Sequence, residues 1–445
     1  MKWPSNNNTF FGENVDFSHW QKQVLGHAAV FSARSQQRWL LFDADSYQFS
    51  VLFFALLVAK KSVVLPQNGQ VESLKLCLKD AEAYAGSQEV CDQQVAFNST
   101  CIVEQCGDIE IDEQADIRFY TSGSSGVPKA IDKKFNALLL EVKVLCEKFA
   151  DQIDNTMVVA TVSHQHIYGL LYKILLPLYA NLDMCLQNFE YPEHLLHFIT
   201  QNNDKSKRYT LISSPAYYHR LVQDNVLTPL AKQLSCCFSS GGPLQPTAAN
   251  LLHEQFGFAP VEVLGSTETG GIAWRQQCKN KYWQAFDAIK LQLDEQQRLV
   301  ISSPYVNDAQ WYQTDDTAQI LDEGCFILLG RADRVVKIEE KRCSLDEIMH
   351  RVNQHHYIDE SYVLLLEHND NPNKRNEIAC VLALNPQGLA ALEKLGKFKF
   401  SQLIKQHLKA YFEALVIPRK FRYLPALPFN SQGKLEKTQL EKLFD

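Results

Sequence analysis

Short apolar runs of β-strand character alternate with helical segments through roughly the first 265 residues of this chain of 445. Parallel strands cannot be joined by tight turns and need a crossover, usually a helix, so this alternation predicts a mostly parallel α/β sheet. The clearest helix has apolar residues at helical spacing from Phe135 to Phe149. The predicted strands are Ser62–Leu65, Ile117–Thr121, Met157–Val162, Tyr209–Ser213, Leu234–Phe238 and Pro260–Leu264.

The pattern of predicted secondary structure changes twice further along the chain. From Ile272 to Leu329 short β runs dominate, and after Gly330 strands mix with helices such as Ser344–Asn353 and Phe400–Leu415. We therefore predict an α/β protein with a large N-terminal region, residues 1–330, that carries mostly parallel sheets plus a β-rich subdomain. A small α+β C-terminal domain is predicted over residues 334–445.

Composition excludes several function classes. Apolar residues make up 46% and charged residues 21%, which is ordinary for a globular protein with a large core. The longest apolar run, Val51–Ala59, is far short of the roughly 20 residues that span a bilayer, so no membrane span is expected. A net charge of −7 does not suggest nucleic-acid binding. The twelve cysteines include no Cys-x-x-Cys pair, which favours reduced thiols and a cytoplasmic location.

A Ser/Gly-rich loop after the strand Ile117–Thr121 is the strongest local signal. Its glycines allow sharp turns that expose N–H groups, while its hydroxyls and one lysine add donors and positive charge, an arrangement that suits a polyphosphate. We expect it to lie between a strand and a helix. It does not fit a Walker loop, and taken alone it fits a flexible loop without a ligand equally well. Its members are Thr121, Ser122, Gly123, Ser124, Ser125, Gly126 and Lys129.

The loop resembles the phosphate loop of the adenylate-forming superfamily, which includes acyl- and aryl-CoA synthetases, peptide-synthetase adenylation domains and luciferases. Further segments resemble the other motifs of that family in the family's order, and together they cover most of the chain after about residue 40. These segments are Ser163–Gly169, Ser240–Leu244, Gly265–Glu268, Trp311–Asp316, Gly330–Asp333 with Lys337, and Leu427–Leu435.

The resemblance implies a two-step ligase. A carboxylate attacks the α-phosphorus of ATP to give an acyl-adenylate and pyrophosphate, and a phosphopantetheine thiol then takes the acyl group. ATP and Mg²⁺ are the implied cofactors, a small carboxylic acid is the substrate, and the thiol belongs to an acyl carrier protein or CoA. The family also implies that the C-terminal domain is mobile about a hinge near Asp333.

Residue roles follow from the same resemblance. Thr121, Ser124 and Lys129 would hold the departing phosphates, and His166 would gate the acid site. Glu268 would bind Mg²⁺, and Thr267 the α-phosphate. The implied contacts at the adenine are Gly241, Gly242, Pro243 and Leu264. Asp316 would bind the ribose, Arg331 would assist at the ribose or phosphate, and Lys434 would contact the reacting carboxylate and the α-phosphate.

Each of these residues also has an ordinary interpretation. Lys434 alone would be an exposed lysine, Glu268 a carboxylate at a helix N-terminus and Asp316 a turn residue. The spacing of His164 and His166 is compatible with a metal site, but no cluster of Cys, His or Asp partners accompanies the pair, so we favour gating by His166.

Three departures from the family pattern bear on function. Leu264 replaces an aromatic residue that stacks on adenine, Asp315 replaces a glycine before Asp316, and Glu340 replaces a glycine on the path of the thiol. Because Glu340 would repel the phosphates of CoA, the usual CoA-dependent step is placed in doubt.

The short N-terminal part and the run Lys337–Arg342 resemble the stand-alone ligases of bacterial aryl-polyene pigment clusters, which implies transfer of a hydroxybenzoate-like acid to a carrier protein. Arg334–Asp445 carries a net charge of +4 and the preceding residues −11, which fits docking of an acidic carrier and fits ordinary scatter of surface charge equally well. The alternatives are an acyl- or aryl-CoA synthetase and a degenerate adenylate-binding protein.

Overall fold

The computed structural model describes residues 15–105, 107–121, 128–201, 204, 206–224, 227–306, 311–338, 341–367, 376–430 and 435–444. These residues form two compact units. The first unit contains the described residues up to Lys290 together with 302–306 and 311–312. The second unit contains residues 291–301, 313–338, 341–367, 376–430 and 435–444.

One sheet of the first unit has six strands in the order β4-β3-β1-β2-β5-β6. All neighbouring strands in it are parallel except β5 and β6, which form an antiparallel pair at one edge. The strands are β1 (Arg38–Leu41), β2 (Ser62–Leu65), β3 (Ala83–Ala85), β4 (Gln94–Val95), β5 (Asp116–Thr121) and β6 (Lys129–Lys134).

The second sheet of this unit runs in the order β13-β12-β11-β10-β9-β7-β8 and is parallel from β11 to β8. Within this unit, the antiparallel hairpin of β11 and β12 and the antiparallel pair of β12 and β13 follow the parallel part. Its strands are β7 (Thr156–Ala160), β8 (Asp183–Asn188), β9 (Arg208–Ser213), β10 (Leu234–Ser239), β11 (Val261–Ser266), β12 (Gly270–Gln276) and β13 (Asn280–Ala285).

Helices connect the parallel strands and bury their apolar faces against the sheets. Helix α2 is nearly all buried, and the Asp45 carboxylate caps its first turn by accepting from the N–H groups of Tyr47 and Gln48. A π-helical turn, Leu170–Leu175, joins α5 to α6. The helices of this unit are α1 (Phe17–Ser32), α2 (Ser46–Val58), α3 (Val71–Cys77), α4 (Phe135–Ile153), α5 (Ile167–Gly169), α6 (Leu176–Ala180), α7 (Pro192–Gln201), α8 (Pro215–Asp224) and α9 (Pro246–Phe256).

The second unit is built from β-strands with helices packed on a three-stranded sheet. Strands β20 and β21 are antiparallel, and β22 lies parallel to β21. The elements are β14 (Lys290–Leu293), β15 (Arg298–Ser302), β16 (Tyr312–Ile320), β17 (Cys325–Arg331), β18 (Val335–Ile338), β19 (Lys341–Ser344), α10 (Leu345–Asn353), β20 (Ile358–Leu366), β21 (Glu377–Leu384), α11 (Pro386–Leu408), β22 (Lys420–Leu424) and α12 (Lys437–Glu441).

The predicted α/β class with mostly parallel sheets in the N-terminal region is confirmed. The expectation that a helix follows the Ser/Gly-rich loop is wrong, because strand β6 lies between the loop and α4. Strand β6 is an edge strand with mostly polar side chains, so it lacks the alternating apolar pattern that identifies a half-buried strand. The helix expected to end at Leu415 ends at Leu408.

Strands β14–β17 belong to the same compact unit as the C-terminal elements. The sequence-based prediction instead assigns all residues up to 330 to the large N-terminal region. The predicted domain boundary and the predicted hinge near Asp333 describe motion of the C-terminal domain, and both stay predictions. Among the described residues, no helix combines the length and apolar character needed to cross a membrane.

The β11–β12 hairpin depends on a glycine where its two strands approach closely. A Cβ on Gly265 would lie 2.4 Å from the carbonyl oxygen of Gly270. We expect Gly265→Ala to lower the free energy of unfolding by about 1–3 kcal/mol, because backbone atoms rather than a flexible side chain would have to move. Chemical denaturation measures this effect, with Gly107→Ala as the control because its Cβ meets only Leu25 Cδ1 at 3.6 Å. Equal stability of the Gly265→Ala and Gly107→Ala variants would contradict the close approach.

Candidate active site

The Ser/Gly-rich loop closes the β5–β6 hairpin. Thr121 and Lys129 are paired across the two strands, and Thr121 Oγ1 donates to the carbonyl oxygen of Lys129 at 3.4 Å. The hairpin is braced at its side by Arg118, whose guanidinium pairs with both Asp80 and Asp132. Ser122, Gly123, Ser124, Ser125 and Gly126 lie outside the described residues, so their predicted phosphate contacts stay predictions.

Lys129 and Glu268 form an ion pair although 139 residues separate them in sequence. Lys129 Nζ lies 3.1 Å from Glu268 Oε1, and Glu268 is the more buried partner. Burial acts to raise the pKa of Glu268, but hydrogen bonds from its own backbone and from Lys129 outweigh burial and lower the pKa below its ordinary value. The Glu268 side chain is therefore a carboxylate at neutral pH, and two motifs identified separately in the sequence meet here.

A tight turn between β11 and β12 presents Thr267 and Glu268. Ser266 and Thr269 close the turn, because the N–H of Ser266 donates to Thr269 Oγ1 at 3.0 Å and the N–H of Thr269 donates to Ser266 Oγ at 3.2 Å. Thr267 is half-buried at the same turn. Its predicted contact with the α-phosphate stays a prediction.

Lys133 is a buried cation that the sequence analysis missed. Its Nζ donates to the carbonyl oxygens of Glu268 at 3.0 Å and Tyr305 at 2.6 Å, so it ties strand β6 to the Thr267–Glu268 turn. Lys129 and Lys133 share one face of β6, since side chains alternate between the faces of a strand. Recognising β6 as a strand would have predicted that both lysines point the same way.

His164 and His166 have different environments. His164 is buried, with Nδ1 2.9 Å from Ser46 Oγ and Nε2 2.9 Å from the carbonyl oxygen of Asp43. Burial, followed by the charge of Lys173, lowers the pKa of His164 to about 3, so this imidazole is neutral and structural. His166 is half-buried and precedes α5. Its predicted gating role stays a prediction.

The predicted adenine-side residues lie on exposed or half-buried backbone of the first unit. Gly241, Gly242 and Pro243 form an exposed turn after β10, and Gly241 has a φ of +89°, which favours glycine. The hydroxyl of Ser240 anchors the turn to β11 by donating to the carbonyl oxygen of Val263 at 2.9 Å. Leu264 is half-buried on β11.

The second unit gathers four carboxylates around Arg331. Asp333 binds the Arg331 guanidinium through both oxygens, at 2.8 and 2.7 Å, and Asp315 Oδ2 lies 3.3 Å from Nη2. Asp316 lies 3.9 Å from Nη1, and Asp346 accepts from the Arg331 backbone N–H at 3.0 Å. Burial raises the pKa of Asp316, as do the neighbouring carboxylates, while Arg331 opposes the rise. Asp315 therefore adds a charge that Arg331 partly neutralises.

Two further predicted residues also fall outside the described residues. Lys434, the predicted catalytic lysine, is one, and Glu340, the predicted obstacle to CoA, is the other. Both stay predictions.

Glu268 suits Mg²⁺ as a single protein ligand. Among the residues that the structure describes, no cluster of three or more His, Cys, Asp or Glu side chains could hold a metal. Mg²⁺ commonly binds through one or two carboxylates together with substrate phosphates, and Glu268 supplies one carboxylate beside the lysine of the predicted phosphate loop.

Comparison with known proteins identifies the family. Residues 50–289, more than half of the chain, match the AMP-binding enzyme family. The chain belongs to this family. The predicted membership of the adenylate-forming superfamily is thereby confirmed, and with it the prediction that the chain is an enzyme of that class.

Several relatives match this AMP-binding enzyme in sequence. Malpinin synthetase from Mortierella alpina is 27% identical over 202 residues, covering 45% of this chain and 2% of that protein. The mitochondrial acyl-coenzyme A synthetase ACSM3 from Homo sapiens is 22% identical over 357 residues, covering 73% of this chain and 59% of that protein. D-alanine–D-alanyl carrier protein ligase from Bacillus licheniformis is 29% identical over 137 residues, 31% of this chain and 25% of its own. The chain thus spans less than two thirds of each relative.

Solved structures share the fold over nearly the whole chain. ATP-bound MatB from Rhodopseudomonas palustris superimposes with a TM-score of 0.83 at 16% identity, covering 99% of this chain and 97% of that one. A benzoate CoA ligase from Burkholderia xenovorans LB400 gives a TM-score of 0.79 at 15% identity, with 98% and 96% covered. At these identities the likeness concerns the fold.

A second buried charge of the AMP-binding enzyme lies on α4. Glu141 is 4% exposed, and its Oε1 accepts from the backbone N–H of Gly271 at 2.7 Å. Burial raises the pKa of Glu141 from 4.5 to about 7, and the Gly271 hydrogen bond and the charge of Lys133 limit the rise. Burial, followed by the charge of Glu141, raises the pKa values of the Tyr172 and Tyr305 phenols.

Glu141 is expected to make stability depend on pH. Its folded-state pKa lies above its unfolded value, so folding takes up a proton between pH 4.5 and about 7, and the free energy of unfolding falls as pH rises through that range. Relative to Glu141→Gln, wild type should lose on the order of 2–3 kcal/mol between pH 5 and pH 8.

Denaturant unfolding of both proteins at several pH values measures this difference. Glu393→Gln, at an exposed position of α11, is the control for a charge change alone. A wild-type to Glu141→Gln difference that stays constant from pH 5 to pH 8 would show that Glu141 does not titrate in this way.

Proposed function

We propose that this chain is an ATP-dependent acid–thiol ligase. In the first step a carboxylate oxygen of the acid bonds to the α-phosphorus of ATP, and the bond to the β-phosphate breaks to release pyrophosphate. In the second step a thiolate attacks the acyl carbon and AMP leaves. The Lys129–Glu268 ion pair carries this proposal, because it joins the lysine of the predicted phosphate loop to the glutamate of the Gly265–Glu268 segment.

The first step brings an anion to a polyanion, so preorganised positive charge and donors are required. Lys129 and the loop donors are proposed to bind the β- and γ-phosphates, and Thr267 the α-phosphate. Mg²⁺ held by Glu268 would neutralise phosphate charge. Asp316 is proposed to accept from the ribose hydroxyls, with Arg331 assisting, and Lys434 to contact the reacting carboxylate.

An aromatic acid of the hydroxybenzoate type is the proposed substrate, and an acyl carrier protein is the proposed partner. The +4 charge of Arg334–Asp445 supports a carrier, because carrier proteins are acidic and opposite charge steers association. Similarity to a D-alanyl carrier protein ligase supports the same acceptor. A cytoplasmic location is proposed as well, and the cysteines of the described residues are free thiols.

Free CoA is the second candidate acceptor. The relative ACSM3 is an acyl-coenzyme A synthetase and matches 73% of this chain. The distinction between carrier protein and CoA therefore belongs in the test of the proposed function.

The test supplies purified protein with ATP, Mg²⁺ and a mixed panel of aromatic and aliphatic acids. We expect mass spectrometry to detect an acyl-adenylate of an aromatic acid, together with stoichiometric pyrophosphate. With the preferred acid, a phosphopantetheinylated carrier protein should be acylated faster than CoA, and faster acylation of CoA would favour the second candidate. ATP binding without an adenylate from any acid would contradict the proposal and favour a degenerate adenylate-binding protein.

Lys434→Ala tests the catalytic lysine in the same assay. Adenylation should slow by about a hundredfold or more, because charge stabilisation at the reacting centre is lost. Lys394→Ala, another lysine of the C-terminal region, is the matched control and should retain activity. Full adenylation by Lys434→Ala would remove this residue from the mechanism.

A further inference from the structure

A buried polar cluster on the first unit has no role in the chemistry described above. It consists of Glu141, Tyr172 and Tyr305 around the glycine pair Gly270–Gly271, and we call it the Glu141 cluster. Three of its polar atoms, Glu141 Oε2 and the hydroxyls of Tyr172 and Tyr305, are buried without a hydrogen-bond partner among the described residues. Buried polar atoms are nearly always paired, and an unpaired one costs free energy.

The absence of side chains at Gly270 and Gly271 leaves room for the Glu141 carboxyl group. A Cβ on Gly270 would lie 2.6 Å from Glu141 Oε2 and 2.7 Å from Tyr305 Cδ2. A Cβ on Gly271 would lie 3.0 Å from Glu141 Oε1, whereas its N–H now donates to that same atom. Any larger residue at Gly270 would push into the Glu141 carboxyl and the Tyr305 ring.

Lys133 supports the cluster from one side. Its Nζ donates to the carbonyl oxygen of Tyr305, and its charge acts on Glu141. The same Nζ holds the carbonyl oxygen of Glu268, so the cluster is tied to the turn that carries the proposed phosphate-site glutamate.

Aromatic rings next to the cluster provide an apolar environment. The Tyr172 ring lies 4.8 Å from that of Tyr168 and 5.0 Å from that of Phe238. Tyr168 belongs to the His164–Gly169 segment, and Gly270 and Gly271 follow Glu268. The resemblance to the adenylate-forming superfamily predicts that the acid binds between the His164–Gly169 segment, the Gly241–Pro243 turn and the residues after Glu268. Aromatic rings, a buried acceptor and two phenols are the kinds of group that recognise a flat acid with a polar substituent.

We propose that the Glu141 cluster recognises a phenolic hydroxyl on an aromatic acid substrate, with Glu141 Oε2 accepting its proton in a hydrogen bond. This inference rests on the proposed function, since it assigns the specificity of the same acid site. A hydroxyl is favoured because the unpaired carboxyl oxygen requires a donor, and an acid without one leaves it unpaired. Sites built to hydrogen-bond a substrate hydroxyl discriminate strongly against analogues that lack it.

The experiment compares four acids by pyrophosphate release with ATP and Mg²⁺ at pH 8, above the pKa of about 7 of Glu141, so that this group is a carboxylate. They are benzoate, 3-hydroxybenzoate, 4-hydroxybenzoate and 4-methoxybenzoate, the last of which keeps an oxygen but has no donor. For wild type, kcat/KM for one hydroxylated acid should exceed that for benzoate and for 4-methoxybenzoate by about tenfold or more. Glu141→Gln should lower both ratios by about tenfold, since the amide nitrogen presents a donor where the carboxylate accepted.

Two further variants keep the test informative if Glu141→Gln folds poorly. Tyr172→Phe and Tyr305→Phe each remove one cluster hydroxyl, and at least one should lower the same ratios. Tyr217→Phe is the matched control, because its hydroxyl is also buried without a partner among the described residues, but Tyr217 belongs to α8 and packs in a different core cluster, together with residues of α9. It should leave the ratios unchanged.

The outcomes separate this inference from the proposed function. Adenylates formed with no preference for a hydroxylated acid, or with a preference that Glu141→Gln, Tyr172→Phe and Tyr305→Phe all leave intact, would overturn the inference while the ligase activity stands. Failure of wild type to form an adenylate from any acid would overturn both.

Discussion

The buried ammonium group of Lys133 is the interaction on which the arrangement of the first unit's candidate site depends. Its two carbonyl acceptors lie on the Glu268 turn and at Tyr305, so one side chain joins strand β6 to two distant segments of the chain. Burial lowers the pKa of Lys133, and Glu141 and Glu268 act against that effect. Removing this ammonium would leave two buried carbonyl groups without a donor, which costs more than the hydrogen bonds themselves.

Strand β6 places the buried Lys133 and the phosphate-loop lysine Lys129 in a fixed arrangement. Lys133 is buried on the same face as Lys129, and Lys129 reaches Glu268 from the exposed end of the strand. Lys129 is exposed and Glu268 is half-buried. An ion pair with one exposed partner contributes little to stability, so the Lys129–Glu268 pair is better understood as charge preorganised for a ligand. In the second unit Asp333 orients Arg331 in a comparable way, through two hydrogen bonds to its guanidinium.

Sequence reasoning reached the fold class, the order of the motifs and the buried strands β2, β5, β7, β9, β10 and β11, because buried strands and amphipathic helices leave periodic patterns. It missed β6, whose edge position removes that pattern, and therefore missed Lys133. Glu141 was not predicted as a functional residue for a different reason. It lies three residues after Leu138 and four before Leu145, on the apolar face of α4, and a charged residue at such a position is a signal that could have been read. Which glycines face it depends on tertiary packing.

The central claim is that Lys129 and Glu268 act together on the nucleotide's phosphates. A double-mutant cycle of Lys129→Ala and Glu268→Ala, measured by ATP–pyrophosphate exchange with the preferred acid, tests it most directly. We expect each variant to lose at least about a hundredfold in kcat/KM for ATP, and the double variant to lose much less than the product of the two, because the residues share one ligand. Losses that multiply, or an undiminished exchange rate in either variant, would contradict the claim.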